Sequence, residues 1–80
     1  MKPTIGRIII AVVRNKHGAL VKRPAIVVQP WGDTCVNAQV FMDGDGSESN
    51  DATPNVIWKT SITLDEKGEL ENSWHWPAKV

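Results

Sequence analysis

The chain has 80 residues, and its nine Lys and Arg side chains balance nine Asp and Glu, so the formal net charge is zero. This length accommodates one domain, which buries only about 60% of the surface of the unfolded chain. A neutral chain has no global basic field, which argues against generic nucleic acid binding and against binding to an anionic membrane surface.

An apolar segment near the N-terminus predicts the first strand. Residues 5–13 are rich in β-branched side chains and apolar on both faces, which predicts a strand covered on each side, or covered outside by another subunit. The longest apolar stretch, residues 8–13, is far shorter than the roughly 20 residues of a membrane span. The layout of a signal peptide is missing as well. We therefore expect a cytoplasmic protein without a membrane partner.

A turn and two strands follow. Residues 15–18 predict a polar turn, and residues 25–29 predict a strand that ends at Pro30. Residues 35–42 are the clearest strand, because apolar and other side chains alternate with a period of two. The core-facing set is predicted to be Val36, Ala38, Val40 and Met42.

Residues 43–55 consist largely of Gly, Ser, Asn and Asp, which predicts a mobile acidic surface loop. Its carboxylates and glycines resemble part of a calcium-binding loop. An EF-hand, however, requires Gly at its sixth position and Glu at its twelfth. Glu48 and Pro54 occupy those positions here. The pattern therefore favours a solvated loop over a calcium site.

The last part of the chain predicts a fourth strand and a short closing strand. Residues 56–64 alternate as a strand. Its predicted core face carries Val56, Trp58, Ile62 and Leu64, and its other face carries Lys59, Ser61 and Thr63. After a turn at residues 65–68, residues 73–76 predict the closing strand, which Pro77 ends.

Five short strands and one long loop predict a mostly β fold for a single domain spanning residues 1–80. Two architectures fit, a small five-stranded antiparallel SH3-like barrel or a strongly curved sheet. Because the first strand is apolar on both faces, we expect the fold to be completed by oligomerisation, which would cover an exposed strand edge.

The sequence carries no catalytic or metal-binding motif. A Ser or Cys nucleophile with a placed His and acid is missing, and so is a phosphate-binding glycine loop. The two histidines, His17 and His75, are widely separated and disfavour a zinc site. The single cysteine, Cys35, predicts a small buried or half-buried side chain rather than a reactive thiol. We expect no enzyme, no metal and no cofactor.

Tryptophan is unusually frequent, with four residues beside one Phe and no Tyr. Several Trp residues in a small domain indicate a core and one exposed binding face. The alternation assigns Trp58 to the core. Trp74 and Trp76 are two apart on an extended segment and so share a face. That face is either core that closes the barrel or a subunit seam on which a base or sugar-phosphate ligand stacks.

Cations and amides complete a hypothetical ligand site. Arginine and lysine suit phosphate groups, and Asn and Gln amides suit base edges. The alternative role for the charged residues is ordinary solubility. The predicted ligand-binding residues are Arg7, Arg23, Trp31, Asn37, Gln39, Lys59, Trp74 and Trp76.

Four segments resemble a family of small proteins encoded by tailed phages and prophages. They are residues 3–8 (PTIGRI), 23–28 (RPAIVV), 37–44 (NAQVFMDG) and 74–77 (WHWP). The resemblance covers most of the chain apart from the acidic loop. It implies an accessory phage protein without enzymatic activity, located in the cytoplasm of the host cell.

Residues 23–28 also resemble the MazF-type toxins, whose SH3-like barrel has a similar Arg-Pro-Ala-aliphatic strand start. Arg23 matches the arginine of that motif. The chain has no counterpart of the Thr- or Ser-bearing strand that completes the ribonuclease site of those toxins. The resemblance therefore implies the barrel more strongly than RNA binding or RNA cleavage.

The leading functional hypothesis is a homo-oligomer that sequesters a nucleotide-derived immune signal at its subunit interfaces, as an anti-defence sponge. The surplus of Trp and the phosphate-binding candidates Arg7 and Arg23 motivate it. The alternative is a protein-interaction module that inhibits a host protein through an exposed apolar strand edge.

Overall fold

The computed structural model describes residues 2–43 and 55–78, and within them five strands form a closed barrel. The strands follow one another around the barrel in chain order as β1 (Ile8–Arg14), β2 (Leu20–Pro30), β3 (Cys35–Phe41), β4 (Val56–Leu64) and β5 (Ser73–His75). Across those two segments, no helix has the length and apolarity needed to cross a lipid bilayer. The predicted mostly β fold is confirmed, and of the two predicted architectures the chain adopts the barrel.

The hairpin between β1 and β2 is built by the predicted polar turn. Asn15 Oδ1 accepts hydrogen bonds from the backbone N–H groups of His17 and Ala19, and Gly18 has a φ of 81°. Such a side-chain acceptor with a left-handed glycine closes a tight turn without strain. β2 begins at Leu20, five residues earlier than predicted. The turn pairs the first residues of β2 with β1, and the pairing of β2 with β3 begins only further along the strand.

The barrel closes through β5, which is short but has two partners. It pairs antiparallel with β1, where His75 lies opposite Ile10, and parallel with β4, where Ser73 lies opposite Thr63. The other pairings among the described strands are antiparallel, so the prediction of an antiparallel barrel holds except between β4 and β5. Because β2 and β5 occupy both edges of β1, no second copy is needed to complete the sheet around that strand. Oligomerisation stays a prediction.

The core fills the inside of the barrel with aliphatic side chains and one tryptophan. The prediction for β3 is confirmed, because the alternate residues of that strand and Met42 beyond it are at most 7% exposed. Period-two alternation directs these side chains to one face of the sheet. The buried cluster comprises Ile9, Ala11, Val13, Ala25, Val27, Val36, Ala38, Val40, Met42, Ile62 and Trp74.

The predicted core face of β4 is half wrong. Ile62 is buried, and Leu64 packs against the core as predicted, but Val56 and Trp58 are 46% and 47% exposed. The cause is a β-bulge, because Thr60 and Ser61 together oppose a single residue of β3. An extra residue reverses the alternation along a strand, and Ile57 packs against the core in place of Trp58.

The predicted acidic loop lies mostly outside the described residues, and so do the calcium-loop positions Glu48 and Pro54. At its two ends, the backbone N–H of Met42 donates a hydrogen bond to the carbonyl oxygen of Asn55 at 2.6 Å. The chain therefore leaves β3 and enters β4 at neighbouring points of the barrel.

Candidate functional site

The outer face of the barrel carries a row of side chains aligned by strand register. Ile8 of β1 lies opposite Ile26 of β2. Ile26 in turn lies opposite Gln39 of β3, and Gln39 lies opposite Trp58 of β4. Their neighbours Ile9, Val27 and Ala38 point into the core, so the row must point outward. Ile8 is 58% exposed, Ile26 38% and Trp58 47%, and Gln39 is half-buried between its neighbours.

A second apolar pair extends this row. Phe41 and Val56 lie opposite each other on β3 and β4, two residues from Gln39 and Trp58, and they are 39% and 46% exposed. We name the resulting surface the outer apolar band. It consists of Ile8, Ile26, Gln39, Phe41, Val56 and Trp58.

The outer apolar band is unusual for its position. The solvent face of an antiparallel sheet normally carries polar side chains, whereas the band has no charged residue and a single polar one, Gln39. At these exposures, its five apolar side chains together present on the order of 500 Å² to solvent. The largest apolar patch on an ordinary monomer has a similar area and is often functional. The band is therefore a candidate contact surface.

Three of the predicted ligand-binding residues meet at the β5 end of the sheet. Trp74 and Trp76 share a face as predicted, with ring centroids 5.1 Å apart at an interplanar angle of 89°. The guanidinium carbon of Arg7 lies 5.4 Å from the ring centroid of Trp76. Trp74 is fully buried, and its Nε1–H donates to the carbonyl oxygen of Thr34 at 2.9 Å. Trp74 is therefore core and offers no ring surface to a ligand, whereas Arg7 and the half-buried Trp76 form an accessible pair.

The other predicted ligand residues are distributed over the barrel. Trp31 is 61% exposed in the turn between β2 and β3. Arg23 is half-buried, and its Nη1 donates to the carbonyl oxygen of Lys22. Lys59 lies opposite the buried Ala38. Among these residues, Trp31 is the one that presents a large ring to solvent.

Asn37 has a structural role that the sequence analysis missed. Its Oδ1 accepts a hydrogen bond of 2.8 Å from the backbone N–H of Ser61, the residue at the β4 bulge. Ser61 has a φ of 54°, in the left-handed region that non-glycine residues rarely adopt. The Asn37 oxygen is therefore engaged in holding the bulge, and the bulge is what turns Trp58 outward.

A polar cluster around His75 was also missed. His75 Nδ1 is buried and has no hydrogen-bond partner among the described residues. A Cβ at Gly68, whose φ is 68°, would lie 2.8 Å from His75 Cε1 and 3.0 Å from Lys22 Nζ. Burial, and secondarily the Lys22 ammonium, lower the pKa of His75 from its ordinary value, against the opposing influence of Asp65. No spacing in the sequence indicates this cluster, because its members come from β2, β5 and the turn after β4.

Asp65 organises the turn that holds this cluster. Its carboxylate accepts hydrogen bonds from the backbone N–H groups of Lys67, Glu69 and Leu70. The bonds from Glu69 and Leu70 are the main reason that the pKa of Asp65 lies below its ordinary value of 3.8. The carboxylate thus acts as the anchor of a backbone turn.

In the part of the chain that the structure describes, no three His, Cys, Asp or Glu side chains converge as a metal site. Comparisons with models of protein families, with curated proteins and with solved structures found no match to this chain. Two surfaces of the described residues are candidate binding sites, the outer apolar band and the Arg7–Trp76 pair.

Proposed function

We propose that this protein is a non-catalytic interaction module whose contact surface for another polypeptide is the outer apolar band. The observation that carries the proposal is the register-aligned row of Ile8, Ile26, Gln39 and Trp58 across four strands. A second copy of the chain and a host protein are the two polypeptide partners expected from the sequence. The closed barrel leaves no unpaired edge on β1, so the contact is made by a sheet face rather than by the predicted strand edge.

The energetics of binding favour this surface. Burial of apolar area contributes about 25 cal/mol per Å² before the costs of association. Trp is the residue type most enriched among interface positions that dominate affinity, particularly where apolar neighbours exclude water around it. Trp58 meets that description, because Val56 lies beside it on the same face of β4 and Phe41 lies diagonally across from it. We therefore expect Trp58 to contribute more to binding than any other residue of the band.

A capture experiment with a matched control tests the proposal. Tagged wild-type protein, Trp58→Lys and Trp31→Lys are immobilised and exposed to a bacterial lysate that also contains an untagged copy of the chain. Trp31 is at least as exposed as Trp58 but lies outside the band, so the control introduces the same charge elsewhere.

The expected result is one polypeptide, identified by mass spectrometry, that wild type and Trp31→Lys retain in stoichiometric amount and Trp58→Lys loses. Retention by all three proteins, or by none, would contradict the proposal. Circular dichroism spectra that coincide for the three proteins establish that the fold is intact.

The Arg7–Trp76 pair favours a second candidate function, the sequestration of a nucleotide-derived immune signal by an oligomer. An exposed guanidinium held against an indole ring combines a phosphate-binding cation with an aromatic surface. Calorimetry against cyclic di- and trinucleotides and ADP-ribose derivatives tests it. We expect binding heat that the substitution Arg7→Gln abolishes. Arg14→Gln is the control and is expected to preserve the heat, since Arg14 pairs with Glu71 instead. The absence of heat with every compound would refute this function.

A further inference from the structure

We infer that the partner of the outer apolar band is a second copy of this chain, bound across a two-fold axis that passes close to Gln39. The inference rests on the proposed function, since it names the polypeptide that the band contacts. Three observations carry it, namely the charge of the band, the position of its amide and its area.

Charge permits self-association here. The formal net charge of the chain is zero, and the band itself has no charged residue. A surface without charged residues carries no like charges that would repel when two copies are placed face to face, so it avoids one cost of self-association. The neighbouring outward positions Ile10 and Pro24, which pair with each other across β1 and β2, are uncharged too.

The amide of Gln39 is matched best by another amide. Gln39 lies between Ile26 and Trp58 in the register, so an apolar partner would bury it without a hydrogen bond, at a cost in affinity. A glutamine side chain both donates and accepts. Two Gln39 side chains related by a two-fold axis therefore satisfy each other, and a single buried amide of this kind specifies register in other symmetric assemblies.

The area of the band sets the expected strength. Two bands of on the order of 500 Å² each, packed together, fall at the small end of specific protein interfaces, where complexes are weak. The surface is thus large enough for a dimer in the micromolar range and too small for an obligate one. A closed barrel with its own core, as seen here, is compatible with a folded monomer in equilibrium with that dimer.

Sedimentation velocity of the purified protein over a range of concentrations tests the dimer. Wild type and Trp31→Lys are expected to change from monomer to dimer in the micromolar range, and Trp58→Lys to raise the dissociation constant at least about 30-fold, as for a dominant interface residue. Gln39→Glu places two like charges at the axis and is expected to weaken the dimer, whereas Thr63→Glu, on β4 beyond the bulge and opposite Cys35, leaves it unchanged.

A crosslinking experiment tests the two-fold axis itself. In a Cys35→Ser background, oxidised Gln39→Cys is expected to form a disulfide-linked dimer, because a residue near a two-fold axis meets its own copy within the Cβ separation of about 4 Å that a disulfide needs. Thr63→Cys is expected to stay monomeric. Equal crosslinking of both variants would overturn the axis.

A wild-type protein that stays monomeric up to millimolar concentration would overturn the dimer. The capture experiment would in that case still support the proposed function, with a different partner, if wild type retains another bacterial polypeptide and Trp58→Lys does not. Absence of both would refute the inference and the proposed function together.

Discussion

His75 shows how a single side chain acquires its properties from three separate segments. Its imidazole lies beside Gly68, where the missing Cβ leaves the space that the ring occupies. The Lys22 ammonium also borders the position of the missing Gly68 Cβ. Both burial and this positive charge disfavour the imidazolium form of His75. A neutral histidine in the folded chain is the consequence at neutral pH.

This environment predicts a pH dependence of stability. The folded pKa of His75 lies below the 6.5 that the unfolded chain has, so below about pH 6.5 the unfolded chain binds more protons and the free energy of unfolding falls. Above that pH both states are neutral and the contribution is fully present. Urea titrations are expected to show a lower midpoint at pH 5.5 than at pH 7.5 for wild type.

The comparison with two variants assigns this effect. His75→Gln is expected to lose most of the difference between the two pH values, whereas His17→Gln, at an exposed position in the hairpin turn, keeps it. The range lies well above the titration of Asp65, whose pKa is lowered from 3.8. Equal pH dependence in wild type and His75→Gln would refute the assignment.

Among the strands, β4 shows most clearly how one irregularity changes a surface. Before the bulge Ile57 packs against the core, and after it Ile62 and Leu64 do so. The bulge requires a left-handed residue at Ser61 and a hydrogen bond from that residue to Asn37 on β3. Without it, continuous alternation would turn Trp58 into the core and remove the aromatic centre of the band.

Two substitutions at the bulge are expected to change the free energy of unfolding in opposite directions. Ser61→Gly relieves the left-handed conformation and is expected to raise the free energy of unfolding by up to about 1 kcal/mol. Asn37→Ala leaves the Ser61 N–H without its acceptor and is expected to lower it by about 1 kcal/mol. Ser61→Ala, which keeps the conformation and the backbone N–H, serves as the control with little change. Chemical denaturation measures all three, and a destabilising Ser61→Gly would contradict this account of the bulge.

At the scale of the whole molecule, Trp74 connects the elements that close the barrel. It is fully buried, lies opposite Ala11 of β1 and Leu64 of β4, and donates from its indole to Thr34 just before β3. β5 has only three residues, so this one side chain supplies much of the apolar burial that holds the closing strand in place. Its neighbour Trp76 packs on the same core from the edge.

Trp74→Phe is therefore expected to lower the free energy of unfolding by about 2 kcal/mol, through the lost volume and the lost indole donor. Trp58→Phe, at an exposed position, is expected to change it by less than about 0.5 kcal/mol. The measurement is chemical denaturation followed by far-ultraviolet circular dichroism at submicromolar protein concentration, below the range in which the proposed dimer would form. Similar effects of the two substitutions would contradict the assignment of core and surface.

Local patterns in the sequence were sufficient for much of the fold. The period of two along β3 predicted its buried face, the Asn15 and Gly18 pair predicted the hairpin turn, and the spacing of Trp74 and Trp76 predicted their common face. These features depend on neighbours in the chain, because strand alternation and turn conformation are properties of a few consecutive residues.

The features that define the candidate site depend on residues far apart in the chain. Trp58, Ile62 and Leu64 have even spacing, so nothing in β4 alone indicates the bulge, which needs Asn37 from the neighbouring strand. The partners of β5 likewise come from both β1 and β4. Strand register and bulges are set by pairing across the sheet, and only that pairing aligned Ile8, Ile26, Gln39 and Trp58 into one exposed surface.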